Sequence, residues 1–214
     1  MQYSNIRFWL SLIVAAIVYI NPVSAAVDEV EELKKYVHKL IDDGYKIFND
    51  TSISEKEVVK KSAQLIKANL DLEWMARYSL GRHRRSLSKA QINEFVEVYS
   101  KYIVKAYANL AKNYNGEKAV VKGVQQINED MFMVTMEIRK PSDQSVTNIQ
   151  YSVRQRDSTP GSPFKVVDII PENVSLLSSQ QAEFDSIIQS KGIEGLMAEL
   201  KDKINKKEKP SNMP

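Results

Sequence analysis

Between residues 28 and 48, apolar side chains recur at Val30, Leu33, Val37, Leu40, Ile41, Tyr45 and Phe48. Steps of three and four place them on one stripe, so an amphipathic helix with one buried face is expected there. Ser54 and Glu57 have the spacing of a capping box, in which two side chains satisfy free amides of a first helical turn. That signal opens a second helix, over 54–70. Asp71 can cap a short third helix, 71–80, and Gly81 can end it in the left-handed turn that glycine favours. Ser88 and Gln91 repeat the capping-box spacing and open the longest helix, 88–114. Its buried side runs through Ile92, Phe95, Val96, Tyr99, Ile103, Ala106, Tyr107 and Leu110, and Asn115-Gly116 is its stop signal.

From about residue 118 to residue 170 the period changes from helical to alternating. Strands are expected over 120–127, 131–139, 146–156 and 164–170. Phe132, Val134, Met136 and Ile138 share a face of the second. In the third, Ile149, Tyr151 and Val153 turn inward while Gln150, Ser152 and Arg154 turn outward. Such alternation means a sheet with one dry and one wet face, hence antiparallel. The turns at 128–130, 141–143 and 157–163 are short enough for a meander. Two helices within 179–204, near 180–190 and 193–203, close the fold. The charged, proline-bearing tail 205–214 is expected to be disordered. Helices, a meander and more helices predict an α+β domain over 27–204, a curved four-stranded antiparallel sheet covered by helices on one face.

Length and composition sharpen this picture at the amino end. The chain has 214 residues, a prior for one domain, and 43% are hydrophobic, enough for a real core. Residues 1–26 read as a secretory leader: Arg7, an uncharged apolar run over 8–20, then small residues ending at Ala25 and Ala26. The run is shorter than the roughly 20 residues a membrane span needs. With no cysteine in the chain, an exported protein of this size is held by its core alone, and no thiol is present to carry a lipid anchor. A bacterial periplasm fits best. A net charge of +3 is too mild for a nucleic-acid partner.

Candidate chemistry is sparse. Two histidines on different elements, with no cysteine, give no metal site. Nucleophile-elbow, phosphate-loop and dinucleotide glycine patterns are absent from the sequence. Asp168, in a strand among apolar neighbours, is the one candidate acid, against the alternative of a carboxylate that binds a turn. No general acid pairs with a general base, and no catalytic residue is assigned. What stands out instead is a surplus of adaptable apolar side chains: Trp74, Met75 and Tyr78, then Met131, Met133 and Met136. A basic run, Arg82, His83, Arg84 and Arg85, follows the third helix. It either complements that helix's carboxyl end or meets an anionic partner.

The run WMARYSLGRHRRSLSKAQINEFVEVYSKYIVKAYANL, residues 74–110, resembles the signature of the MlaC (toluene-tolerance) family of periplasmic phospholipid-binding proteins. FKVVDIIPENVSLLSSQQAEFDSIIQSKGIEGLMAEL, residues 164–200, is similar to that family's closing strand and final helices. Asp168, Val174, Ser175, Leu176, Phe184, Gly192 and Leu196 fall in the expected places. Arg84 departs from the pattern, standing where an aromatic is common, and Phe164 replaces a usual tryptophan. The resemblance implies an NTF2-like cone with a deep apolar cavity. It also implies a monomeric carrier of glycerophospholipid, without a cofactor other than its cargo. Such a carrier serves an inner-membrane ABC transporter complex, with its lipid-binding membrane-anchored subunit, and an outer-membrane lipoprotein–porin complex. Residues expected against lipid are Trp74, Met75, Tyr78, Phe95, Tyr99, Val134, Met136, Ile149, Tyr151, Val153 and Val166. Those expected at a head group or a partner are Arg77, Arg82, Arg84 and Arg85. The alternatives are an NTF2-like isomerase or hydrolase using Asp168, or a periplasmic chaperone for apolar peptides.

Overall fold

The computed structural model describes residues 22–156 and 162–206, with side chains from residue 28 onward. The expected leader therefore lies outside the described residues, apart from the helical backbone of 22–26. So does the tail from residue 207.

Five helices and four strands follow in the order α1 (Pro22–Phe48), α2 (Glu55–Asn69), α3 (Leu72–Ser79), α4 (Lys89–Leu110), β1 (Lys118–Gln126), β2 (Met131–Arg139), β3 (Val146–Gln155), β4 (Phe164–Pro171) and α5 (Leu176–Asn205). The caps form where the sequence places them. Asp71 accepts from the Trp74 amide at 3.1 Å, and Ser88 and Gln91 exchange both bonds of their capping box. At Ser54 half of the box forms. The hydroxyl accepts from the Glu57 amide, while the Glu57 carboxylate turns outward to Lys60. Gly81 ends α3 with φ of 49°, as expected of a left-handed stop. The basic run does not remain an open elbow, however. Gly81–Arg85 winds into a 3-10 turn that carries the chain into α4.

The strands form one sheet in the order β1-β2-β3-β4, each pair antiparallel, which is the expected meander. Phe132, Val134, Met136 and Val153 are fully buried, and the polar positions 150, 152 and 154 keep partial exposure. Bulges shift the register between Val121 and Gly123 and between Ser152 and Val153. Each adds local twist and bends the sheet. The outer edge of β4 is closed by the α2–α3 junction, where the Asp71 amide donates to the Val166 carbonyl at 3.0 Å. Helix backbones come closest to the two outer strands, α1 at β1 and α2, α3 and α5 at β4. Side chains span the middle of the sheet, and α4 packs on α2, α3 and α5.

The last helix runs as two segments joined at Gly192, whose φ of 71° and ψ of 178° are not helical. This is the break expected between 190 and 193. The region is essentially closed to residues with a Cβ and costs about 1–3 kcal/mol when forced. Space is not the obstacle, since an added Cβ there would meet nothing within 4 Å. Gly192→Ala should therefore lower stability by about 1–3 kcal/mol through backbone strain alone. Denaturant titration with an unchanged m-value is the check, and equal stability would mean that the break relaxes.

Candidate functional site

Buried apolar side chains fall into two clusters. One is built by α3, α4 and α5, with Met75, Phe95, Tyr99, Phe184 and Leu196, and takes Val167 from β4. The other joins Leu33, Tyr36 and Val37 of α1 to Phe132, Val134, Met136, Val153, Phe164 and Val166 of the sheet. A domain ordinarily has one contiguous core. Here Leu70, at the α2–α3 junction, packs against both clusters, and a seam runs between them.

Tyrosines mark the seam from both sides. Tyr36 of α1 donates to the Asn69 carbonyl at 3.3 Å. Tyr99 of α4 donates to Gln180 Oε1 at 2.8 Å, and Tyr107, two turns further on, hydrogen-bonds the same glutamine. Tyr151 of β3 lies within electrostatic reach of both Tyr36 and Tyr107. Burial pushes all four phenols above their usual range. Tyr151 nevertheless keeps part of its surface accessible, and its hydroxyl has no hydrogen-bond partner among the described residues.

The residues expected against lipid divide between these environments. Met75, Phe95 and Tyr99 are in the helical cluster; Val134, Met136, Val153 and Val166 are in the sheet cluster, with Ile149 and Tyr151 half-buried on its margin. Trp74 is half-buried on α3 and stacks on Tyr78, ring centroids 5.2 Å apart, and Tyr78 is 40% exposed. Sequence reading missed Tyr36, which borders the apolar stripe of α1, and Gln180, whose partners are some 80 residues away. Two surface hollows lie outside the seam. One, of about 330 Å³, is bounded by Leu80, Gly81, Arg82 and the α5 residues Ser178, Gln181, Ala182 and Asp185. The other, of about 380 Å³, is bounded by Glu55, Lys56, Val59 and Lys112.

Asp168 is buried and fully engaged. Its carboxylate accepts from the amides of Ile169 at 2.8 Å and Leu177 at 3.0 Å, and from the Ser175 hydroxyl at 2.6 Å. Those bonds tie β4 to the first turn of α5, which is the turn-binding role rather than that of a free acid. The basic run also separates into two halves. Arg82 grips Asp185 through two bonds, at 2.9 and 3.1 Å, and His83 Nε2 lies 2.7 Å from the same carboxylate. His83 first and then Arg82 hold that carboxyl below its usual range. Arg77 pairs with Glu73 at 3.0 Å. Arg84 and Arg85 are exposed, with no ion-pair partner among the described residues. Among those residues, no group of three or more His, Cys, Asp or Glu side chains could hold a metal ion, and no helix is long and apolar enough to cross a membrane.

A four-stranded antiparallel sheet under helices, with its apolar core in two clusters, defines a protein of α+β class. The chain belongs to the MlaC family, whose sequence profile, described as MlaC protein, it matches over residues 38–202. It is 20% identical over 162 residues to the intermembrane phospholipid transport system binding protein MlaC of Haemophilus influenzae, covering 72% of this chain and 75% of that one. Its fold resembles that of a phospholipid-binding protein from Ralstonia solanacearum, solved in complex with a phospholipid at 1.53 Å. The TM-score is 0.65 at 18% identity, over 78% of this chain and 94% of the other.

The raised phenols carry a pH signature. A group whose pKa is raised on folding contributes its stability fully below the unfolded value, near 10, and loses it as pH rises through the folded value. Stability should thus fall steeply above about pH 10, by up to about 1.4 kcal/mol per pH unit for each such tyrosine. Tyrosinate absorbance should rise together with loss of structure. If Tyr36, Tyr99, Tyr107 and Tyr151 ionise near pH 10 in a chain that stays folded, the seam is wetter than described.

Proposed function

We propose that this protein is a periplasmic carrier that takes the acyl chains of a glycerophospholipid into the seam between its two apolar clusters. The observation that carries this reading is the divided core: apolar walls from α1 and the sheet on one side, and from the helical cluster on the other, with half-buried side chains between. The family, and the phospholipid named for both relatives, support it.

The energetics suit transfer. Two acyl chains carry about 30 methylenes, each worth roughly 0.8 kcal/mol when hidden from water, a gross sum of about 24 kcal/mol. That exceeds the practical ceiling of about 21 kcal/mol for non-covalent affinity. A lipid in a bilayer already has this term satisfied, so exchange between membrane and protein is nearly neutral, and partners can bias its direction. The chain would then shuttle lipid between an outer-membrane lipoprotein–porin complex and an inner-membrane ABC transporter complex with a membrane-anchored lipid-binding subunit, sustaining the lipid asymmetry of the outer membrane. Such a carrier acts as a monomer and needs no catalytic residue.

Docking falls to Arg84 and Arg85. They end a single 3-10 turn, whose dipole is slight, just ahead of the amino end of α4, where the dipole repels cations and the first turn holds no acid. Helix-end electrostatics does not account for two cations there; an acidic partner surface does.

Two experiments test this reading. Organic extraction of the purified protein, read by mass spectrometry, should yield stoichiometric phospholipid, and Val153→Trp should lower that load while the protein stays folded. Absence of lipid, with no uptake from liposomes, would sink the carrier. For docking, Arg84→Glu combined with Arg85→Glu should slow transfer to partner-bearing liposomes and flatten its salt dependence, because exposed charges are screened within about 8 Å at physiological ionic strength. Bound lipid and thermal stability should be unchanged. A normal rate with a normal salt slope returns these arginines to solvent.

A further inference from the structure

The polar groups that reach the seam are nearly all accounted for. Tyr36 is satisfied by the Asn69 carbonyl, and Tyr99 and Tyr107 share Gln180. Tyr151 is the exception. It sits in register between Val134 of β2 and Ile169 of β4, on the inward face of the sheet. Phenylalanine would fill that position with the same ring and no polar group. The Tyr151 hydroxyl is not sealed from water, and it can exchange that water for an acceptor on a ligand and so contribute to binding.

The acceptor can be identified by its chemistry. Acyl methylenes offer none. Head-group oxygens are charged and strongly hydrated, and suit the mouth of a binding site better than its apolar wall. The acyl-ester carbonyl is attached to the chain itself and enters with it. Burial keeps the Tyr151 phenol protonated, hence a donor, across the neutral range. We propose that the Tyr151 hydroxyl donates a hydrogen bond to an acyl-ester carbonyl of the bound lipid, so that the protein distinguishes ester-linked from ether-linked glycerolipids. The inference rests on the carrier reading and deepens it.

The test is a competition. The full protein is incubated with vesicles containing equal amounts of diacyl and dialkyl phosphatidylethanolamine of the same chain length, reisolated, and its bound lipid quantified by mass spectrometry. The wild-type protein should enrich the diacyl lipid roughly two- to tenfold, the range that one net hydrogen bond supplies. Tyr151→Phe should bring that ratio near one while the protein stays folded. Tyr107→Phe, whose hydroxyl is already engaged by Gln180, should keep the enrichment. A wild-type ratio near one overturns the inference, as does undiminished enrichment in Tyr151→Phe. Uptake of neither lipid by the wild-type protein overturns the carrier reading and this inference together, whereas uptake without discrimination overturns this inference alone.

Discussion

A chain with no cysteine that leaves its apolar core in two pieces has to hold those pieces in register by polar contacts. Two buried carboxylates do most of this, both at β4. Asp71 caps α3, donates its own amide to Val166 of β4, and pairs with Arg156 at 3.2 Å. Asp168 binds the start of α5 through three donors. Lys105 of α4 adds a third tie, its ammonium capping the carbonyls of Lys203, Ile204 and Lys206 at the far end of α5. Hydrogen bonds to charged groups are worth about 1.5–3 kcal/mol each, and breaking a buried one exposes the desolvation cost of its partner. The two carboxylates fix the helical cluster to the sheet along β4, whereas Lys105 joins α4 to α5 within that cluster.

This division of labour explains why the lipid reading needs so little chemistry. A single dense core would be more stable, and it would be closed. Splitting the core sacrifices some apolar contact between α4 and the sheet and keeps a surface that acyl chains can wet. Leu70 packs on both clusters and pairs as an isolated bridge with Val166, so the two halves meet at a covalently continuous and hydrogen-bonded junction.

Much of the fold is legible in the sequence because its signals are local. Ser88 with Gln91, Asp71, Gly81 and Gly192 each specify a helix end within four residues of themselves, and strict alternation specifies the inward faces of β2 and β3. The site is less legible because its contacts are not local. Arg82 and His83 meet Asp185 from about a hundred residues away, and nothing near either partner announces the pairing. Tyr36 joins the core from the margin of its helix's apolar stripe, and its hydroxyl finds its acceptor, the Asn69 carbonyl, 33 residues away. The expected lipid-lining residues were chosen by face, and face cannot tell which of two clusters a buried side chain enters. Trp74 and Tyr78 illustrate this: they share a face of α3, and one is half-buried while the other is exposed.

The basic run shows how one polar partner divides a uniform stretch of sequence. Asp185 satisfies Arg82 and His83 and draws Gln189 to its second oxygen, so it can accept little more. Its lowered pKa means the tie is fully formed above the usual carboxylate range and is lost as pH falls through the folded value, leaving it intact at neutrality. Arg84 and Arg85, in the same 3-10 turn, are exposed and have no ion-pair partner among the described residues. The same turn thus uses Arg82 and His83 to hold α5 and leaves Arg84 and Arg85 to solvent.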